Sequence, residues 1–355
     1  MKKKKILYIC GSINQTTQMH KISEELKEYE AYFTPYYASG YWYIQPLSKV
    51  GLMDFSILGG QAKQNTLNYL KKNNLNIDVE GKLNDYDLVF TCSDMLLPKN
   101  IRDNKIILVQ EGMTDPEHFG FYLAKKLNFP RWVGGTATTG ISNAYDLFCV
   151  ASEGYKELFI SKGVNSEKIV VTGIPNFDNC AQFDKNDFPH KGYVLVATSD
   201  MRETFKFENR KKFILKAVQI ARDKQIIFKL HPNENYERAV KEINKYAPGS
   251  IVFQIEKIDP MISNCDILIT RFSSVVYIGL ALGKEVYSDF DLQELKKLVP
   301  LQNGGISAVN IANLTRDLIE NSVSSEVYLL NKDKHIAKRF IDKVRLRKRL
   351  ARLKH

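Results

Sequence analysis

Short apolar, β-branched runs alternate with longer mixed stretches along most of the chain. Runs at residues 5–10, 87–92, 105–109, 146–150, 169–173, 193–198, 225–230 and 266–270 have the length and composition of strands buried in parallel sheets. Stretches at 17–29, 153–162, 210–223 and 275–282 read as helices between them. This alternation predicts the α/β class. Residues 31–43 hold seven aromatic side chains, including Tyr32, Phe33, Tyr36 and Trp42, and read as a packed loop.

At 355 residues two domains are expected. The polar stretch that ends the first series of strands predicts a first domain at 1–183 and a linker at 184–192. A second domain at 193–325 and a basic tail at 326–355 complete the division. A hydrophobic content of 44% with 26% charged residues is that of a globular protein. No apolar run reaches the roughly 18 residues of a membrane span. The start, Met1-Lys2-Lys3-Lys4-Lys5, lacks a following apolar core and cleavage site, and reads as a solvated lead-in to the first strand. Five scattered cysteines read as reduced core residues of a cytoplasmic protein, and no pair has metal-ligand spacing. The net charge of +11 is concentrated in the tail. From Lys332 to His355 there are eleven Lys/Arg against Asp333 and Asp342, a net of +9. The body is thus almost neutral, which argues against a broad nucleic-acid-binding face.

Candidate chemistry sits where strands end. The run Lys229-Leu230-His231-Pro232-Asn233-Glu234 closes a strand at His-Pro, because proline cannot continue a ladder. Thr270-Arg271-Phe272-Ser273-Ser274 leads from the next strand into a helix, and two hydroxyls with free backbone N–H groups suit an anion. Alone, a His-Pro is a turn and a Ser-Ser an N-cap; together they outline a phosphate pocket at strand ends, where open α/β sheets bind ligands. In the first half, Gln110-Glu111-Gly112 places a carboxylate at a strand end beside a glycine. Gly11-Ser12-Ile13-Asn14 is a weaker candidate ligand loop, and Gly134-Gly135-Thr136-Ala137-Thr138-Thr139-Gly140 a flexible one without the lysine of a P-loop.

The order of these motifs resembles that of the two-domain GT-B glycosyltransferases, and more narrowly those using cytidine-nucleotide donors. Sialyltransferases and Kdo transferases of this fold carry Lys-x-His-Pro, Ser-Ser and acidic-Gly motifs, matched here by Lys229 to Pro232, Ser273-Ser274 and Glu111-Gly112. Gln110-Glu111-Gly112, the run from Val171 to Asp178 and the run from Ala197 to Thr204 look most like the retaining β-Kdo transferases of capsule and O-antigen synthesis. Teichoic-acid glycerophosphotransferases, which also use cytidine donors, have an acid where this chain has Arg271, and typically a His-Gly where it has Glu111-Gly112.

The resemblance implies two Rossmann-like domains facing a cleft, a CMP-sugar donor, a glycan or glycolipid acceptor and no cofactor or metal. Lys229, His231, Pro232, Asn233, Ser273 and Ser274 would surround the donor phosphate, and preorganised donors there would stabilise a departing phosphate. Arg202 or Arg271 would bind the sugar carboxylate. A retaining route assigns Asp200 as nucleophile and Glu111 as acid/base, with Asp115 in reserve; His231 completes the catalytic set. An inverting route needs only a base. The alternatives are a CDP-glycerol or ribitol polyol-phosphate transferase, a nucleotide-sugar epimerase of the same fold, and a non-catalytic scaffold. In the tail, Leu346, Leu350 and Leu353 share one helix face amid Arg and Lys. The tail reads either as a packed terminal helix or as a peripheral anchor to the anionic inner face of the cytoplasmic membrane, where a lipid-linked acceptor would lie.

Overall fold

A computed structural model describes residues 3–39, 57–127, 129–199, 201, 208–271 and 273–320. Asp200, Arg202 and the basic tail lie outside the described residues.

The first sheet has six parallel strands: β1 (Lys5–Cys10), β2 (Glu30–Pro35), β3 (Leu88–Thr91), β4 (Lys105–Val109), β5 (Leu147–Val150) and β6 (Ile169–Val171). Their order is β2-β1-β3-β4-β5-β6, so the winding direction reverses between β1 and β3. The crossovers include α1 (Ile13–Glu24), α2 (Gly60–Lys72), α3 (Phe119–Leu127) and α4 (Glu153–Lys162). Side-chain oxygens of Ser12 and Ser152 accept the first free N–H groups of α1 and α4, which is why these helices start where they do.

The second sheet has five parallel strands: β7 (Val194–Ala197), β8 (Ile226–Lys229), β9 (Ile251–Phe253), β10 (Ile267–Thr270) and β11 (Glu285–Tyr287). Here the order is β11-β10-β7-β8-β9, which reverses between β7 and β10. Its helices are α5 (Arg210–Ala221), α6 (Tyr236–Tyr246), α7 (Ile258–Asn264) and α8 (Val275–Ala281), followed by α9 (Leu292–Leu298) and α10 (Ser307–Glu320).

Three readings of the sequence are corrected. The aromatic stretch is in part a strand: β2 pairs with β1 along its whole length, and Phe33 stacks on Tyr8 in the core. The segment from Arg131 to Thr138 is a 3-10 turn, not an open loop. And α10, expected within a second domain reaching to 325, packs on the first sheet. Ile311, Leu314 and Leu318 share a buried cluster with Ile6, Tyr8 and Val109, and Lys105 donates to Leu318 O at 2.7 Å.

The two sheets are joined by packing as well as by chain. One buried cluster runs from Leu7 and Val150 through Tyr155, Ile174 and Phe177 to Leu195, Met261 and Tyr277. The Tyr155 and Tyr277 hydroxyls meet at 2.7 Å in this seam. Burial pushes the Tyr277 phenol up to about 12, so the pair stays neutral. A Cβ on Gly154 would lie 2.0 Å from Lys297 O, so only glycine lets α4 approach α9 this closely.

Candidate active site

In open α/β sheets ligands bind beyond the carboxyl ends of the strands where the winding reverses. Each sheet has one such point, and both face the seam.

At the β1/β3 point, Glu111 follows β4. Its carboxylate accepts from Ser12 Oγ at 2.5 Å, from Gln15 Nε2 at 2.6 Å and from Asn14 Nδ2 at 3.5 Å. Three neutral donors, and no cation among the described residues, hold and orient it. Ser12 and Asn14 therefore belong to the first turn of α1 rather than to an open ligand loop. Gly11 makes the arrangement possible: a Cβ there would lie 2.2 Å from Gln15 Oε1. Asn176, from the run after β6, donates to Asn14 O and Oδ1 at 2.8 Å and so braces the same turn.

A cavity of about 450 Å³ opens beside Glu111. Its walls are largely apolar, with Tyr36, Ile57, Leu58, Leu96, Met113 and Trp132, and its carboxylates among the described residues are Glu111 and Asp115. Thr136 Oγ1 donates to Asp115 Oδ2 at 2.6 Å. Burial, and then the Glu111 charge, hold the Cys92 thiol in this wall well above its ordinary range, so it is no nucleophile.

At the β7/β10 point the polar groups are arranged differently. Thr270 ends β10 and Ser199 lies just beyond β7; each has a buried hydroxyl with no hydrogen-bond partner among the described residues. Ser274 precedes α8 and makes no side-chain cap, so its hydroxyl is not consumed by the helix. The N–H of His231 donates to Glu234 Oε2 at 2.9 Å, and Asn233 N–H donates to His231 Nδ1 at 3.3 Å. An accepting Nδ1 puts the proton of the neutral imidazole on Nε2.

The charges expected here as ligand groups are used internally. Lys229 is 6% exposed, and its ammonium donates to Leu230 O at 2.9 Å and Gln254 O at 2.8 Å. Desolvation depresses its pKa. It fixes the His-Pro turn against the loop after β9. Arg271 pairs with Asp289 at 2.6 Å and lies 3.9 Å from Glu208, so it is committed to acids of its own domain. Glu234, which closes the His-Pro run but is given no role by the sequence, is buried and bonds Thr198, Arg210 and the His231 N–H. Pro232 and Asn233 are exposed.

The two points meet at one place. A Cβ built on Gly112 would lie 3.6 Å from Phe177 and 4.0 Å from Ser274 Cβ. The acidic-Gly and Ser-Ser segments, 162 positions apart as Gly112 and Ser274, thus face each other across the cleft.

No family model matches the chain, and no curated protein does. Among solved structures it is similar to a protein from Listeria monocytogenes assigned as a UDP-N-acetylglucosamine 2-epimerase, with a TM-score of 0.56, 13% identity, and coverage of 90% of this chain and 98% of that one. It is also similar to the UDP-N-acetylglucosamine 2-epimerase of Rickettsia bellii, with a TM-score of 0.52, 12% identity, and coverage of 90% and 98%. The wall teichoic acid polymerase TagF, in a structure with CDPG, gives a TM-score of 0.51 at 12% identity, with coverage of 90% of each chain. What these likenesses share with the chain is architecture: two Rossmann-like parallel-sheet domains closing on a cleft, which is the GT-B fold.

Proposed function

We propose that the chain is an enzyme of nucleotide-activated sugars, with the nucleotide phosphate in the β7/β10 crevice and Glu111 as the base on the reacting hydroxyl. The observation that carries this is the approach of Gly112 to Ser274, which brings the Glu111 carboxylate and a set of hydroxyls to one cleft. A phosphate leaving group develops negative charge. The hydroxyls of Thr270 and Ser274 and the His231 imidazole are donors that would receive it. Glu111, with no ion pair among the described residues, would take the proton of an acceptor hydroxyl in the 450 Å³ cavity.

Glycosyl transfer is the first reading. Within it, the CMP-Kdo donor draws no support from Arg271, which is paired with Asp289, while Arg202 lies outside the described residues. A donor with a neutral sugar fits the described residues better. The retaining route, with Asp200 as nucleophile and Glu111 as acid/base, predicts a product of unchanged anomeric configuration. Epimerisation is the second reading, favoured by the similar epimerase structures; the same carboxylate would then act on a carbon-bound proton. Polyol-phosphate transfer rests on the likeness to TagF.

UDP-GlcNAc, CMP-Kdo and CDP-glycerol, each followed by proton NMR with and without glycan acceptors, separate these chemistries. A new sugar nucleotide formed from UDP-GlcNAc without acceptor means epimerisation; nucleotide release that depends on acceptor means transfer. In parallel, His231→Ala is expected to lose the rise in melting temperature that the preferred nucleotide gives the wild type. A variant stabilised as much as the wild type would remove His231 from the site.

A further inference from the structure

We propose that a second pocket of the first domain, beside Lys162, binds a phosphoryl-type anion at a site distinct from the nucleotide crevice. This cavity, of about 260 Å³, is lined by Lys125, Phe129, Arg131, Lys162 and Gly163 among others, and by no carboxylate among the described residues.

Lys162, the last residue of α4, is 2% exposed, yet its ammonium makes a single long hydrogen bond among the described residues, 3.5 Å to Asp115 O. It also lies 5.9 Å from the centroid of the Phe121 ring, and Lys125 Nζ lies 5.5 Å from the same centroid. A Cβ on Gly163 would meet Lys125 Nζ at 3.8 Å, which places the second ammonium beside the residue after Lys162. Arg131 gives one Nη2 to Asp94 O at 3.1 Å, while its Nε is buried with no hydrogen-bond partner among the described residues. None of the three forms an ion pair among those residues.

A buried cation without a counter-charge is costly, and here three cationic side chains converge on one cavity. Burial depresses the Lys162 pKa, against the longer-range pull of Glu117 and Asp115. A phosphoryl group would return the missing charge and accept from several N–H donors at once, and the volume exceeds the share of about 30 Å³ that one water takes. The site also has a position that matters. Arg131 opens the 3-10 turn whose Trp132, Gly135 and Thr136 line the 450 Å³ cavity, so one turn forms a wall of both. Exposed Phe119, Tyr122, Leu127 and Phe129 lie in and just after α3, the helix that carries Lys125. The same phosphoryl chemistry comes from a lipid headgroup or from a soluble phosphate.

The test uses the full chain, Lys162→Met and Lys125→Gln. Inorganic phosphate is titrated by calorimetry and thermal shift, and the proteins are sedimented with phosphatidylcholine vesicles with or without phosphatidylglycerol. Phosphate is expected to raise the wild-type melting temperature, and each variant to weaken its binding by about tenfold or more. Affinity for the preferred nucleotide should stay as it is. If both variants also lose retention on phosphatidylglycerol vesicles, the natural source is a headgroup; if retention is unchanged while phosphate binding falls, the source is soluble. Wild-type protein that ignores phosphate, or variants that bind it as well as wild type, would overturn the proposal. Lys125 is exposed, so Lys125→Gln keeps the test readable should Lys162→Met fail to fold.

Discussion

The two switch points of the molecule obey one topological rule and present opposite chemistry. At the first, a charge is exposed to the cleft and held there by neutral groups: Glu111 by Ser12, Asn14 and Gln15. At the second, the charges lie beneath the surface and hold one another, as with Arg210, Glu208 and Glu234, or hold backbone, as with Lys229. Among the described residues, what that crevice presents to the cleft is hydroxyls and an imidazole. A carboxylate held by neutral donors suits a base, whereas hydroxyls without a partner among the described residues suit an anion that arrives with its own charge. The comparison teaches that a lysine or arginine at a strand end is not yet a ligand group; its nearest acceptors decide.

Breaking the first side of this contrast should have the largest effect. Glu111→Gln keeps the shape and the Ser12 contact but removes the base, and turnover should fall about 10²–10⁴-fold with nucleotide affinity intact. Loss of nucleotide binding alongside turnover would blur the division between the two points. Lys229→Met comes next. It strips the donor from Leu230 O and Gln254 O, and chemical denaturation should show a loss of about 1–3 kcal/mol. Were stability unchanged while nucleotide affinity collapsed, Lys229 would be a ligand group after all.

Smaller still is the seam. Tyr155→Phe leaves the buried Tyr277 hydroxyl without its partner and should cost about 1–2 kcal/mol; adding Tyr277→Phe should recover part of this, giving a coupling detectable in a double-mutant cycle. The smallest effect sharpens the second side. Thr270→Val removes a buried hydroxyl that has no partner among the described residues, so the unliganded protein should hold its stability or gain up to about 1 kcal/mol, while nucleotide affinity drops severalfold. A variant less stable than wild type would show that the hydroxyl already has a structural role.

Much of the scaffold was legible in the sequence. The long buried strands were found to within two residues, because a strand covered on both faces must be apolar throughout, as in Lys5–Cys10 and Lys105–Val109. The three-residue strands β9 and β11 carry too little pattern to stand out. In β2, the aromatics Tyr32 and Phe33 hid a strand in what read as a loop. The return of α10 to the first sheet depends on contacts such as Lys105 to Leu318 and Lys4 to Ile319, 213 and 315 positions apart, and no local pattern encodes them. Of the site, the strand-end positions of Glu111, His231 and Ser274 could be read from where apolar runs stop. The fates of Lys229 and Arg271 could not, since their partners Gln254 and Asp289 come from neighbouring loops.

The central claim is that the nucleotide phosphate sits at the β7/β10 crevice, facing Glu111-Gly112. Calorimetric titration of CMP, CDP, UMP and UDP into wild type, Ser274→Ala and Glu111→Gln tests it most directly. At least one nucleotide should bind wild type and Glu111→Gln alike, and bind Ser274→Ala about tenfold more weakly. A nucleotide that binds Ser274→Ala as tightly as wild type but is lost from Glu111→Gln would put the phosphate in the first domain and contradict the claim.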